Sequence, residues 1–249
     1  GRQLMKRDLS IPTPDGDARA WAFHPDGRGP WPAVLFYMDG IGIRPALFEM
    51  GERMAAAGYY VLLPDLFYRS GPYTAPDPVK LFSDPAVRAE WSNMIGSATP
   101  ALAMADTEAF LAFLAAQPEV KQPKIGVTGY CMGGRLAVTA AGTFPDRVAV
   151  AASFHGGRLA NDAPDSPHLL APKMKGRVYV AGAIEDPSFS EEEKARLEEA
   201  LTKAGVKHTV VTYEGAKHGW VPSDTPVHNP AAAERHYQAL FGVLKEALG

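Results

Sequence analysis

The sequence predicts an α/β fold in which a mostly parallel central sheet carries helices on both faces and an antiparallel hairpin leads in at the N-terminus. Short runs such as PAVLFYM and YYVLLP are apolar at every position, as strands buried on both faces must be. They alternate with stretches of helical spacing, which is the pattern of parallel strands joined by crossover helices. Right-handed crossovers then distribute those helices over both sides of the sheet.

The hairpin comes first. RDLSIPTP and ARAWAFHP are extended segments on either side of Asp15-Gly16, a pair that tolerates positive φ. PAVLFYMD (32–39) is a strand followed by a glycine-bearing loop. In ALFEMGERMAAAG, Leu47, Met50, Met54 and Ala57 share a helical face and Gly58 supplies the stop. YYVLLPD is the next strand. The segment 66–100, rich in Pro, Gly and Ser, reads as an irregular, lid-like excursion of loop and helix at the sheet's edge.

ALAMADTEAFLAFLAAQ has the pattern of a strongly amphipathic helix, KIGVTG of a strand, and CMGGRLAVTAAGTF of a helix built from small residues. VAVAASFHGG and GRVYVAGA are further strands, with a Pro-rich loop (161–172) between them. FSEEEKARLEEALTKAG is a helix with acidic residues where its dipole favours them. KHTVVTYEG is the last strand and AAAERHYQALFGVLKEAL the last helix. Without an internal repeat or a low-complexity linker, residues 1–249 read as one domain, with 1–4 a short remnant ahead of a native Met5.

Composition narrows the function. The chain of 249 residues is 46% hydrophobic and 21% charged, with a net charge of −3 and scattered basic residues, which argues against nucleic acid or an anionic membrane surface as partner. No apolar stretch approaches the ~20 residues of a membrane span, and the first residues lack the apolar core of a secretory signal. The single cysteine rules out an intrachain disulfide, which suits a reducing compartment, so a cytoplasmic location is expected.

That cysteine sits in GVTGYCMGG, where a strand turns into a helix. Gly129-Tyr130-Cys131-Met132-Gly133 has the form G-x-nucleophile-x-G. A sharp strand-to-helix turn forces the central residue into an unfavourable backbone region, and glycines on either side avoid the collisions that follow. The helix N-terminus also favours a thiolate. A dinucleotide fingerprint fails because Cys131 occupies the second glycine's place, and a phosphate loop fails because the stretch ends Gly-Gly-Arg. A buried, inert cysteine is the remaining bland reading.

A nucleophilic thiol needs a base and an acid that orients the base. Of seven histidines, His218 in YEGAKHGW lies between the last strand and the last helix, where the order nucleophile, acid, histidine puts the base. The acid belongs after GRVYVAGA; Asp186 is the choice and Glu185 the alternative. The N–H groups of Met132 and Gly40 are the expected oxyanion donors. His155, after the strand that follows the elbow helix, is placed to line the site.

With these pieces in order, the chain resembles the dienelactone hydrolase family of α/β-hydrolases, through FYMDGIGIRP, GYYVLLPDLFYRSG, GVTGYCMGGRLA and YEGAKHGW. The resemblance implies an α/β-hydrolase fold, the triad Cys131, Asp186 and His218, hydrolysis of strained enol-lactones through an acyl-thioester, and no metal or organic cofactor. The partner it implies is a small-molecule ester or lactone, with a monomer or homodimer expected. Two positions depart from the best-known members. Asp39 stands where they carry a glutamate that interacts with the resting thiol, and Gly219 to Pro222 stand where they carry an arginine for the substrate carboxylate. Arg44, Arg69, Arg88 and Arg135 are candidates to replace that arginine, and Asp39, Arg44, Tyr130, His155 and Trp220 are expected around the substrate, Trp220 making the pocket more apolar. Two other readings stay open: a carboxylesterase or thioesterase acting on a neutral substrate, and a catalytically idle small-molecule binding protein.

Overall fold

In the computed structural model, which describes residues 3–249, eight strands form one sheet in the order β1-β2-β4-β3-β5-β6-β7-β8. The strands are β1 (Leu4–Thr13), β2 (Gly16–Pro25), β3 (Ala33–Tyr37), β4 (Tyr60–Pro64), β5 (Ile125–Tyr130), β6 (Val148–Phe154), β7 (Arg177–Gly182) and β8 (His208–Thr212). Only β2 runs against its neighbours, pairing antiparallel with β1 and β4; every other pairing is parallel. The expected hairpin and parallel sheet are both present. Gly1 and Arg2, part of the expected remnant, lie outside the described residues, and Leu4 begins β1 opposite Pro25.

The central strands earn their places by burial. Every residue of β3, β4 and β5 is buried, which apolar side chains tolerate on both faces of a covered sheet. The helices are α1 (Pro45–Ala56), α2 (Pro78–Ser83), α3 (Pro85–Ser97), α4 (Pro100–Ala115), α5 (Met132–Thr143), α6 (Glu191–Lys203) and α7 (Pro230–Leu248). Side chains cap several of them: Thr99 starts α4, Ser190 starts α6 and Asn229 starts α7, each accepting from a backbone N–H of the first turn. α1 and α7 lie side by side, joined by the Arg53–Glu234 ion pair with Arg53 over the Tyr237 ring. On the other face α5 packs against α4 and against a 3₁₀ segment, Pro167–Lys173, which in turn meets α6.

Two elements differ from the sequence reading. α4 is less amphipathic than its pattern suggests, because its outward positions are mostly alanines: Ala101, Ala105, Ala112 and Ala115. Its inner face carries a buried acid, Asp106, which accepts from Arg69 (2.8 and 2.9 Å) and Tyr68 (2.8 Å) and so ties the start of the excursion to the domain. The excursion itself is more regular than expected, containing a 3₁₀ turn (Tyr68–Ser70) and the two helices α2 and α3. Among the described residues no helix is long and apolar enough to cross a membrane.

The topology places the site. From β3 the chain moves outward to β4 and then returns past β3 to β5, from which it builds in the opposite direction. The reversal opens a crevice at the carboxyl ends of β3 and β5, the usual ligand position in such sheets. Close packing beneath the crevice depends on Gly126 in β5, where a Cβ would stand 2.5 Å from Leu244 Cδ2 of α7 and 3.3 Å from Val150. Gly126→Ala is therefore expected to destabilise the protein by about 1–3 kcal/mol through overpacking, read as a lowered urea midpoint with an unchanged m-value. An unaltered midpoint would show that α7 can shift freely.

Candidate active site

The site starts from a strained residue. Cys131, between β5 and α5, has φ 56° and ψ −117°, a conformation costing a non-glycine residue about 1–3 kcal/mol. Its neighbours show why the turn needs glycine. A Cβ on Gly129 would overlap the Gly133 carbonyl, one on Gly133 would overlap the Tyr37 and Met38 carbonyls, and one on Gly134 would stand 2.6 Å from Ser153 Oγ. The turn holds the thiol of Cys131, a residue of intermediate burial, over the start of α5. As the first helical residue, Met132 has an N–H with no partner within the helix.

His218 arrives from the β8–α7 loop and Asp186 from the β7–α6 loop. His218 Nε2 lies 3.0 Å from Cys131 Sγ, and Nδ1 donates to Asp186 Oδ2 at 2.7 Å. The other carboxylate oxygen, Oδ1, accepts from Ser188 N (2.9 Å) and Ser188 Oγ (2.7 Å), which fixes its plane. Asp186 is 3% exposed at its side chain and His218 31%. Of the two acids left open by the sequence, Asp186 makes the contact, while Glu185 points to solvent from a positive-φ turn (φ 50°).

These contacts set the charges. Burial pushes the Cys131 thiol up, and the Asp39 carboxylate adds to that. The His218 charge, its hydrogen bond and the Gly40 N–H outweigh both, leaving the thiol below its ordinary value. Burial pulls His218 down, but Cys131 and Asp186 hold it well above the usual imidazole range. Burial raises Asp186, and the bonds from His218 and Ser188 bring it below the usual carboxylate range. The three groups therefore favour thiolate, imidazolium and carboxylate, a concentration of perturbed groups typical of reactive sites.

The structure corrects four sequence expectations about substrate contacts. Tyr130 points into the core, with no exposure, its ring stacked on Phe154 (5.7 Å) and its hydroxyl 2.5 Å from His236 Nε2. Burial pushes His236 down to about 3, so it is neutral at ordinary pH. Trp220 is also fully buried, against Tyr213 (5.2 Å) and His155 (4.9 Å), and forms no pocket wall. His155 lies behind the His218 ring at 5.6 Å without any exposed surface; burial keeps it neutral.

Arg44 is the fourth. A guanidinium has five N–H donors, and here each has an acceptor. Nη1 donates to Asp39 Oδ1 (2.8 Å) and Gly42 O (3.0 Å), Nη2 to Asp39 Oδ2 (3.0 Å) and Asp224 Oδ1 (3.1 Å), and Nε to Asp224 Oδ2 (2.8 Å). No donor is left for a substrate carboxylate. Asp39 is equally occupied, accepting also from Ile41 N and Gly42 N. Of the other arginines, Arg69 holds Asp15 and Asp106, Arg135 holds Asp165, and exposed Arg88 donates to Phe82 O.

The side chains beside the crevice come instead from α2 and α3. Ile95 packs over Gly40, where a Cβ would meet it at 3.3 Å, and Trp91 Nε1 donates to Gly40 O at 2.7 Å. Phe82 lies against Gly219, next to His218, at 3.1 Å by the same measure. The signal for them was Trp91 and Ile95 at i,i+4 spacing in a polar segment, a pair that shares one helical face. Among the described residues no group of three or more His, Cys, Asp or Glu is arranged to hold a metal ion.

A strained elbow at the carboxyl end of a mostly parallel sheet, with groups from the following loops converging on it, defines an α/β-hydrolase-fold protein. The profile of the dienelactone hydrolase family matches residues 18–248, and the chain belongs to that family. A relative in Synechocystis sp. that carries the provisional name carboxymethylenebutenolidase is 27% identical over 233 residues, covering 92% of each chain. A crystal structure provisionally named a dienelactone hydrolase, from Klebsiella pneumoniae, superposes with a TM-score of 0.83 at 20% identity, covering 98% of this chain and 99% of the other. The dienelactone hydrolase from Anabaena variabilis does so with a TM-score of 0.71 at 19% identity, over 99% and 100%.

The charge pattern has a signed consequence. Asp186, depressed on folding, adds stability that is present above its unfolded value and lost as pH falls through the folded one. His218, raised on folding, adds stability that is present below its unfolded value and lost as pH rises through the folded one. In parallel, alkylation of Cys131 by iodoacetamide is expected to titrate with a midpoint below the ~8.5 of a free thiol. His218→Ala should move that midpoint up by about one pH unit or more. A wild-type midpoint at or above the free-thiol value would overturn the ion-pair description.

Proposed function

We propose that this protein hydrolyses a carboxylic ester or lactone with Cys131 as nucleophile, His218 as base and acid, and Asp186 as the group that orients His218. One observation carries the reading: the unbroken chain of contacts from Cys131 Sγ to His218 (3.0 Å) and on to Asp186 (2.7 Å).

The thiolate attacks the carbonyl carbon, and the displaced electron pair settles on the oxygen, which the Gly40 and Met132 N–H groups receive. Collapse breaks the bond to the leaving oxygen. His218 gives that oxygen its proton, and an acyl-thioester remains on Cys131. Water then attacks the thioester carbonyl while His218 takes its proton, and breaking the C–S bond releases the acid and restores the thiolate. Asp186 keeps Nδ1 protonated so that Nε2 faces the sulfur.

Family membership and the names of the relatives support a small-molecule lactone or ester as substrate. Within that class the saturated guanidinium of Arg44 and the apolar Phe82, Trp91 and Ile95 favour a neutral ester over an anionic lactone.

Hydrolysis of an anionic dienelactone measured beside neutral nitrophenyl acetate tests both points. Cys131→Ala is expected to lower kcat on the order of 10⁴-fold or more and to keep the folded circular-dichroism spectrum. Cys131→Ser should also be strongly impaired, because a hydroxyl needs more help from the base. A preference for the neutral ester is expected; a strong preference for the lactone would overturn the neutral-substrate reading, and full activity in Cys131→Ala would overturn the nucleophile. Loss of Cys131-dependent turnover on every ester tried, with tight ligand binding retained, would favour a binding protein.

A further inference from the structure

Arg44 joins the two loops that flank the thiol. The β3–α1 loop carries Asp39 and Gly40 and ends at Arg44; the β8–α7 loop carries His218 and Asp224. The Arg44 and Asp39 side chains are 5% and 4% exposed, and two carboxylates share the one guanidinium. Burying such a cluster is expensive in desolvation, and apolar side chains would hold two loops together at lower cost. Asp39 directly precedes Gly40, whose N–H faces the Cys131 sulfur, so its carboxylate opposes a thiolate there, and Arg44 is the cation directly bonded to Asp39.

We propose that Arg44 is a positioning residue for the thiol chemistry: through Asp39 and Asp224 it fixes the Gly40 loop against the His218 loop, and its charge offsets Asp39 so that an anion forms at Cys131. The proposal rests on Cys131 being the nucleophile. The charged and titratable groups facing the sulfur are His218 with Asp186 behind it, Asp39 with Arg44 from the β3–α1 loop, and neutral His155 beneath His218. Asp224 faces Arg44. Asp39 is also held by Ile41 N and Gly42 N, so removing Arg44 leaves its carboxylate in place beside the thiol with no cation bonded to it.

The test is the pH dependence of iodoacetamide alkylation in the intact chain, with kcat and KM on a nitrophenyl ester and a melting curve for each variant. Arg44→Gln should raise the alkylation midpoint by about one pH unit or more, and adding Asp39→Asn should return it to the wild-type value or below. Arg44→Lys keeps the charge and loses the fork. It should hold the midpoint near wild type while kcat falls several-fold and KM changes little, and Asp224→Asn should also lower kcat without raising the midpoint.

An unmoved midpoint in folded Arg44→Gln, or no recovery with Asp39→Asn, overturns the charge role. Unchanged kcat in Arg44→Lys and Asp224→Asn overturns the positioning role. If Arg44→Gln does not fold, Asp39→Asn alone decides: its midpoint should fall, and an unmoved midpoint refutes the compensation. A wild-type thiol that alkylates like a free one refutes the nucleophile reading instead, which separates the two failures.

Discussion

The left-handed backbone of Cys131 is the constraint around which the rest of the molecule is organised. An L-residue at φ 56° and ψ −117° persists only where its surroundings over-determine it. Here the surroundings are the glycines at 129, 133 and 134, which let α5 start within contact distance of the ends of β3 and β6. The Cys131 N–H bonds the Phe154 carbonyl of β6, and the Tyr130 hydroxyl is held from below by His236 of α7. Sheet and helices on both sides therefore clamp the same turn, and the thiol is presented by a rigid element.

The electrostatics follow from that placement. For a sulfur held at the head of a helix, an imidazole on one side and an amide N–H on another favour the anion by more than desolvation opposes it, so the thiol lies below its ordinary value. The cost appears in the groups that must carry compensating charge. Asp186 uses both oxygens, one on His218 and one on Ser188, while Asp39 and Asp224 divide a single guanidinium between them. The result is two charged clusters, Asp186 with His218 and Cys131, and Asp39 with Arg44 and Asp224, which meet where Asp39 faces the thiol.

How much of this could be read from the sequence depended on range. The elbow is local: the glycine pattern, the preceding apolar strand and the following run of small residues all lie within about a dozen positions, and they specify one geometry. His218 and Asp186 were placed by chain order on a known sheet topology. The Arg44 cluster was beyond reach, because Asp224 lies 180 positions from Arg44 and only the folded loops bring them together. Tyr130 was legible in principle: side chains alternate along a strand, so a residue beside an outward cysteine points inward. Trp220 and His155 were misplaced because proximity to the motif in sequence does not say which side of the sheet edge a loop side chain turns toward. The excursion's helices carried apolar residues at helical spacing, a signal masked by the prolines and glycines around them.

The hydrogen bond from Trp91 to the Gly40 carbonyl has a mechanical consequence. Gly40 is the residue whose N–H faces the sulfur, and Trp91 belongs to α3 beside Ile95, which packs on the same glycine. The apolar surface next to the crevice and the peptide whose N–H faces the sulfur are thus parts of one body. With Gly40 as the oxyanion donor proposed above, a substrate that pushed α3 outward would displace its peptide as charge develops, whereas one that fits would leave it in register. Discrimination of this kind is felt in the transition state more than in the bound ground state. The enzyme would then select its substrate by how fast it turns over, and weakly by how tightly it is held.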